Sequence, residues 1–293
     1  MNKRYDDLYD EDGIDGPFER RMQLGGGGGG GVMMREETAL VLRTCAPDGS
    51  SRGGFVWPEL GPVECAPPGL DPLAHWDPHP ECGNGLHGAL WGEGDSGLLD
   101  WSPNARWLVV RVLAADIVDL GGKVKFPRGW VEHCGDRQSA TRYLVKHGGA
   151  GRAVIGVTLT GGNRSTLTGG NRSTLTGGDD STLTGGYDST LNGGDGSTLT
   201  GGNRSTLTGG DGSTLTGGDG STLTGGNRST LTGGDDSTLT GGDGSTLTGW
   251  WWDGQRRRFA VAYVGEEDGI EAGVPYRVKQ GRFVRRPLKE TES

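Results

Sequence analysis

The stretch Gly161-Gly162-Asn163-Arg164-Ser165-Thr166-Leu167-Thr168 is followed by Gly169-Gly170-Asn171-Arg172-Ser173-Thr174-Leu175-Thr176, and the same unit runs on to Gly249. Leucine stands at 159, 167, 175, 183, 191, 199, 207, 215, 223, 231, 239 and 247, always eight residues apart. Between Gly-Gly and Ser-Thr-Leu-Thr lies a variable pair: Asn-Arg, Asp-Asp, Asp-Gly or, once, Tyr-Asp. Self-similarity at a fixed period outranks every local signal. A flexible Gly/Ser/Thr linker has no reason to keep leucine between two threonines at every step, with only Asn192 replacing a threonine.

Ser-Thr-Leu-Thr is short, β-branched and alternating, so Thr166 and Thr168 face one side of a strand while Ser165 and Leu167 face the other. Gly-Gly and the pair after it read as turn chemistry, glycine supplying positive φ and Asn or Asp tolerating the left-handed region. One octad therefore encodes one strand and one corner. A chain that returns to stack on itself needs two of each, which predicts sixteen-residue coils, about six of them across 158–249, in a β-solenoid. Burying one leucine per strand gives roughly 1.5–3 kcal/mol, whereas ordering each backbone residue costs roughly 1–2 kcal/mol. The rest is expected from hydrogen-bond ladders between coils and from inward serines such as Ser165, Ser181 and Ser197.

With this coil length, Thr166, Thr168, Thr182, Thr184, Thr198, Thr200, Thr214, Thr216, Thr230, Thr232, Thr246 and Thr248 fall on one unbroken flank. The opposite flank carries Thr158, Thr160, Thr174, Thr176, Thr190, Thr206, Thr208, Thr222, Thr224, Thr238 and Thr240, interrupted at Asn192. Outward threonines lie about 6.6–6.8 Å apart along a strand and about 4.7–4.9 Å apart between coils. Each offers a hydroxyl that anchors water and a methyl that cages it, on a stiff χ1, so the array suits ordered water or ice as its partner.

The octads also resemble those of bacterial ice nucleation proteins, whose units read much like Gly-Gly-Asp-Gly-Ser-Thr-Leu-Thr, over residues 158–249. Trp252-Asp253-Gly254 and Glu267-Asp268-Gly269-Ile270-Glu271-Ala272-Gly273-Val274-Pro275-Tyr276 look like the C-terminal cap of that family. The resemblance implies ice binding by the unbroken flank. The family's arrays are far longer and its N-terminal domain is a different, surface-associated one, so weak nucleation is expected here unless molecules self-associate through the solenoid. The rival reading is a structural spacer or an adhesion-type stalk of bacterial or phage origin.

Other chemistries fit less well. Calcium-binding nonapeptide repeats place an aspartate inside each unit, whereas this period is eight and Arg164, Arg172, Arg204 and Arg228 set cations where calcium needs oxygen. Those arginines are expected on exposed corners, within reach of Asp180, Asp188 or Asp236. His75, His79, Cys82 and His87, with His133 and Cys134, have the density of a metal site, but the spacing matches no common zinc pattern and Pro78 and Pro80 keep the first pair off one helical face. Neither a metal nor a cofactor is expected. The phrase Cys82-Gly83-Asn84-Gly85-Leu86-His87 resembles an uncharacterised N-terminal domain of phage and bacterial repeat proteins, and its strand-loop layout is similar to that of ADP-ribosyltransferases. No paired-glutamate motif follows, so no catalytic residues are assigned and a capping or attachment role is favoured over an enzyme carried on a repeat stalk.

The remaining chain agrees with a mainly β protein. Residues 1–32 are acidic, end in Gly25 to Gly31 and read as a disordered tail; Met33 or Met34 is a candidate start. Residues 33–150 read as a small mixed α/β capping domain with strands at Arg106 to Val112 and Lys123 to Phe126 and a helix from Arg137 to Lys146. Residues 250–293 read as a short β cap in which Trp250-Trp251-Trp252 covers the last coil, while the first domain covers the other end. Sixty glycines in 293 residues and 31% hydrophobic composition argue against two conventional cores. A net charge of -9 disfavours nucleic acid as a partner, no apolar run reaches the roughly 20 residues that span a bilayer, and no apolar leader opens the chain, which reads as cytoplasmic.

Overall fold

The computed structural model describes residues 37–51, 54–66, 75–265 and 269–286, together with the backbone of two short strands. Those two, β1 (Glu19–Arg21) and β2 (Met33–Arg35), pair antiparallel. The rest of the expected N-terminal tail, and Glu267 and Asp268 of the cap motif, lie outside the described residues.

The chain divides into two units, residues 1–90 with 100–135, and residues 91–99 with 136–293. The first holds β3 (Thr38–Cys45), β4 (Gly61–Glu64), β5 (Leu86–Leu90), β6 (Arg106–Leu113), β7 (Val118–Asp119), β8 (Val124–Phe126) and β9 (Arg128–Gly135) in one antiparallel sheet of order β4-β9-β6-β3-β5-β8-β7. Its centre is the full-length β3–β6 pairing, where Leu40, Val41, Leu42, Val109 and Val110 are buried. Next to it, β9 crosses a register shift between Val109 and Val110, a bulge that re-aims His133 and Cys134. Gly129 is required there by crowding, because a Cβ would sit 2.7 Å from Val110 Cγ1 and 2.8 Å from the Arg111 carbonyl.

The helix α1 (Arg137–Leu144) belongs to the second unit. Asp136 caps it, its carboxylate accepting the Ser139 N–H at 2.7 Å, and a π-helical turn at Val145–Gly149 ends it. Ala140 and Leu144 of α1 are buried with Val154, Ile155 and Val157. This stretch already belongs to the stack: Gly170 N–H donates to Val154 O and Thr174 N–H to Val157 O. Within this unit the first coil is therefore covered by a helix and an atypical half-turn.

Every Thr-Leu-Thr triplet, and Thr190-Leu191-Asn192 with them, forms a strand: β10 (Thr158–Thr160), β11 (Thr166–Thr168), β12 (Thr174–Thr176), β13 (Thr182–Thr184), β14 (Thr190–Asn192), β15 (Thr198–Gly201), β16 (Thr206–Thr208), β17 (Thr214–Gly217), β18 (Thr222–Thr224), β19 (Thr230–Gly233), β20 (Thr238–Thr240) and β21 (Thr246–Trp252). Each from β10 to β19 pairs in parallel with the triplet sixteen residues on, Leu167 with Leu183 and Leu183 with Leu199, so twelve strands make six coils of the predicted solenoid. The even strands β10 to β20 form one sheet and the odd strands β11 to β21 the other. Ten leucines, from Leu175 to Leu247, are at most 1% exposed and form the shared core. Leu159 and Leu167, in the first coil, are only half-buried.

The sticky far end is closed by β22 (Arg257–Tyr263), β23 (Tyr276–Lys279) and β24 (Arg282–Arg285). Strand β22 pairs antiparallel with β21 over seven residues, and β23 pairs with β20 at Leu239–Tyr276. The tryptophans expected to cover the last coil instead prolong its strand: Trp250 stacks at a tilt on Phe259, 4.3 Å between centroids, and Trp252 is 60% exposed. The covering side chains are smaller, Ala260, Ala262, Val264 and Ile270, with Tyr276.

Candidate functional site

The corners decide how regular the outer faces can be. The variable pair, not Gly-Gly, carries the positive φ, which falls on its second member throughout: Arg164 at 58°, Asp180 at 56°, Gly196 at 66°, Arg204 at 62°. The first member builds a ladder broken at Tyr187, the Asn and Asp side chains from Asn163 to Asn227 accepting the N–H of the counterpart one coil on, as in Asp195 N–H to Asp179 Oδ1 at 3.1 Å and Asp211 N–H to Asp195 Oδ1 at 2.8 Å. Gly-Gly is needed for closeness. A Cβ on Gly209 would lie 2.7 Å from Ser213 Cβ, and one on Gly210 would lie 2.0 Å from Asp195 Oδ1. Inside, the serines bond as expected, Ser181 and Ser197 hydroxyls 3.3 Å apart and Ser213 donating to Gly194 O at 3.2 Å; Ser165, in the first coil, has its hydroxyl buried without a hydrogen bond. Of the corner arginines, Arg172 approaches Asp188 at 3.7 Å, a half-exposed pair of small energetic consequence.

Because corner and core repeat without slippage, the outer faces inherit their register. On the odd sheet Thr166 stacks on Thr182, then Thr198, Thr214, Thr230 and Thr246, and Thr168 on Thr184, Thr200, Thr216, Thr232 and Thr248, with no shift at any step. Thr182, Thr184, Thr198, Thr200, Thr214 and Thr216 are exposed; Thr232, Thr246 and Thr248, nearer the cap, are half-buried. The rows end where Tyr263 and Val261 take the positions beside Thr246 and Thr248.

On the even sheet the Asn192 defect is present between Thr176 and Thr208. A second defect escaped the sequence reading: Thr238 is buried, its hydroxyl accepting a hydrogen bond from the Arg286 guanidinium. Only a pairing between residues 48 apart, made by the cap, produces it. The two threonine faces thus differ more than the repeat alone implied.

In the N-terminal unit the suspected metal ligands are dispersed. His79 is exposed and bonded to Asp77 at 2.7 Å, Cys82 is exposed, and His133 and Cys134 sit on β9. Among the described residues no group of three or more His, Cys, Asp or Glu side chains could hold a metal ion. His87 lies on β5 beside Arg43, whose guanidinium donates to the His87 carbonyl at 2.6 Å. Burial, then the charges of Lys123, Arg43 and Lys125, lower the His87 pKa to about 4. Lys125 is fully buried, its ammonium donating to Glu81 O at 2.8 Å and standing 5.5 Å from the Trp76 ring.

Three comparisons bear on this arrangement. An ice nucleation protein of Pseudomonas fluorescens is 44% identical over 110 residues, 37% of this chain and 8% of the relative. Ice nucleation protein InaU of Pantoea ananas is 37% identical over 114 residues, 38% of this chain and 10% of the relative. An ice nucleation protein of Xanthomonas campestris pv. translucens is 38% identical over 111 residues, 37% of this chain and 7% of the relative. The matched part thus spans a tenth or less of the length of these curated relatives, and over it the chain is ice-nucleation-protein-like. No catalytic family is indicated. No protein-family model and no solved structure matches the chain.

Proposed function

We propose that the protein binds ice through the uninterrupted threonine face of the odd sheet, and nucleates ice weakly unless molecules associate. The observation that carries this reading is the register: threonine stacks on threonine across six strands in both columns with no shift. Such a face holds hydroxyls and methyls on a fixed two-dimensional grid, so water bound to one row is spaced to bind the next. Six strands span only about 24 Å from first row to last at the usual strand spacing, enough to hold a crystal surface but short for templating an embryo. The names of the relatives point the same way, and the reading is of a binding protein without catalytic residues.

Replacing Thr198 by Lys and Thr214 by Glu puts two bulky, mutually attractive charges in the middle of the odd face without touching the leucine core. The full chain is expected to shape ice crystals in microscopy, and the double variant to lose the faceting while its circular dichroism is retained. The same pair of changes at Thr190 and Thr206, beside Asn192, is expected to matter much less. A folded wild-type chain that neither shapes nor nucleates ice would leave the spacer reading, in which solenoid length and not threonine identity is what function needs.

A further inference from the structure

In the first unit, β3 and β5 are paired only at Val41–Leu90 and Leu42–Ala89. Past those pairs the Arg43 guanidinium takes over the contact, donating to the His87 carbonyl at 2.6 Å and lying 4.4 Å from the Trp57 ring centre. On the other side of β5, His87 stands directly opposite Lys125 of β8, so the two side chains share one face of the sheet. Lys125 is fully buried, yet its described contacts are a neutral carbonyl, that of Glu81, and the Trp76 ring. Among the described residues no carboxylate pairs with Lys125 or Arg43, and Asp77, whose charge Lys125 reaches, is bonded to His79. Two permanent cations are thus gathered about His87 without a counter-ion, an arrangement that a folded chain tolerates poorly.

The His87 ring adds a second unanswered group. Its Nε2 is buried with no hydrogen-bond partner, as is Arg43 Nε. The ring bonds to the Gly85 backbone, and only Nδ1 is left to make that bond, so a neutral ring carries its proton there and offers Nε2 as an acceptor. The ring is neutral at pH 7, because burial and then the charges of Lys123, Arg43 and Lys125 lower its pKa to about 4. The vicinity therefore asks for a ligand that is an anion toward Arg43 and Lys125 and a proton donor toward His87.

We propose that Arg43, His87 and Lys125 bind a hydrogen phosphate group. Its charge of about −2 balances the two cations, whose N–H groups meet its oxygens. Its P–OH donates to His87 Nε2. A carboxylate or a sulfate has no proton to give at neutral pH, so His87 selects against both. On entry a phosphate oxygen replaces the Glu81 carbonyl on Lys125, a charged acceptor in place of a neutral one. The site lies wholly within the first unit and is independent of the ice reading.

The test is calorimetric titration of the full chain at neutral pH and fixed ionic strength, with inorganic phosphate, sulfate, AMP and adenosine as probes. Phosphate is expected to bind, and sulfate to bind more weakly by about tenfold or more, since it leaves Nε2 unanswered. AMP binding tighter than phosphate, with adenosine silent, assigns the group to an organic carrier; weaker AMP binding assigns the free anion. Lys125→Met keeps the length and burial of the side chain without its charge, and is expected to fold, by circular dichroism, and to weaken phosphate binding about tenfold or more. His87→Phe keeps a ring but not Nε2, and is expected to bind phosphate and sulfate alike, a change that loss of a merely structural ring would not produce. A wild type that binds no phosphate, or that binds sulfate as tightly, overturns the proposal, as does a folded Lys125→Met variant with undiminished affinity. If Lys125→Met does not fold, His87→Phe decides: a preference for phosphate that survives there overturns the proposal.

Discussion

Arg204 shows what a single corner residue costs. Its φ of 62° is a region that L-residues enter at a cost of about 1–2 kcal/mol and glycine enters freely. Gly196 and Gly212 hold the equivalent place in other coils at 66° and 68°, so Arg204→Gly is expected to stabilise the solenoid by about 0.5–1 kcal/mol, glycine's greater chain entropy offsetting part of the gain. Gly210→Ala should do the reverse. Its Cβ would meet Asp195 Oδ1 at 2.0 Å and the Asp195 N at 2.8 Å, and an overpacking cost of about 1–3 kcal/mol is expected. Thermal denaturation of the two variants checks both signs. The sequence pattern showed that these corners are turns, but it could not separate a glycine kept for its φ from one kept for its missing Cβ, since both read as the letter G in a repeat.

At the scale of elements, the period decided the solenoid because one mismatch of eight residues would turn every strand onto the other sheet. That is testable. Deleting 193–208 removes one full coil and leaves the odd sheet free of defects, so crystal shaping is expected to persist on a shorter face. Deleting 193–200 removes half a coil. The first rows of each sheet then continue into the last rows of the other, Asn192 interrupting one face and the Arg286-covered Thr238 the other, and faceting is expected to weaken although more threonines remain. Microscopy of ice grown with each variant distinguishes them. Where no period existed, legibility depended on burial. Strand β6, Arg-Trp-Leu-Val-Val-Arg-Val-Leu, and helix α1 were readable, whereas β3, Thr-Ala-Leu-Val-Leu-Arg-Thr-Cys, is buried on both sides just as β6 is but carries fewer large and β-branched apolar residues to mark it. The C-terminal tryptophans misled for a related reason: large apolar side chains suggest a cover, but the antiparallel partner β22 brings its own small residues to that place. The Arg286–Thr238 contact could not be read from any local signal.

For the molecule as a whole, the hydrogen bonds that hold the coils together all run along the solenoid's axis, from Thr182 N–H to Ser165 O, from Thr198 N–H to Ser181 O and so on. Pulled by its two ends, such a rod is loaded in series. The tension falls on one interface at a time and opens it like a zip, since neighbouring coils lend each other no parallel resistance. In an optical trap the chain is expected to lengthen in a staircase, each tread releasing one sixteen-residue coil, or about 50 Å of extended chain. The same direction of bonding that lays threonine above threonine thus makes the protein stiff against bending and weak as a tether, and a role that asks it to bear traction between two anchored ends would set its architecture against its load.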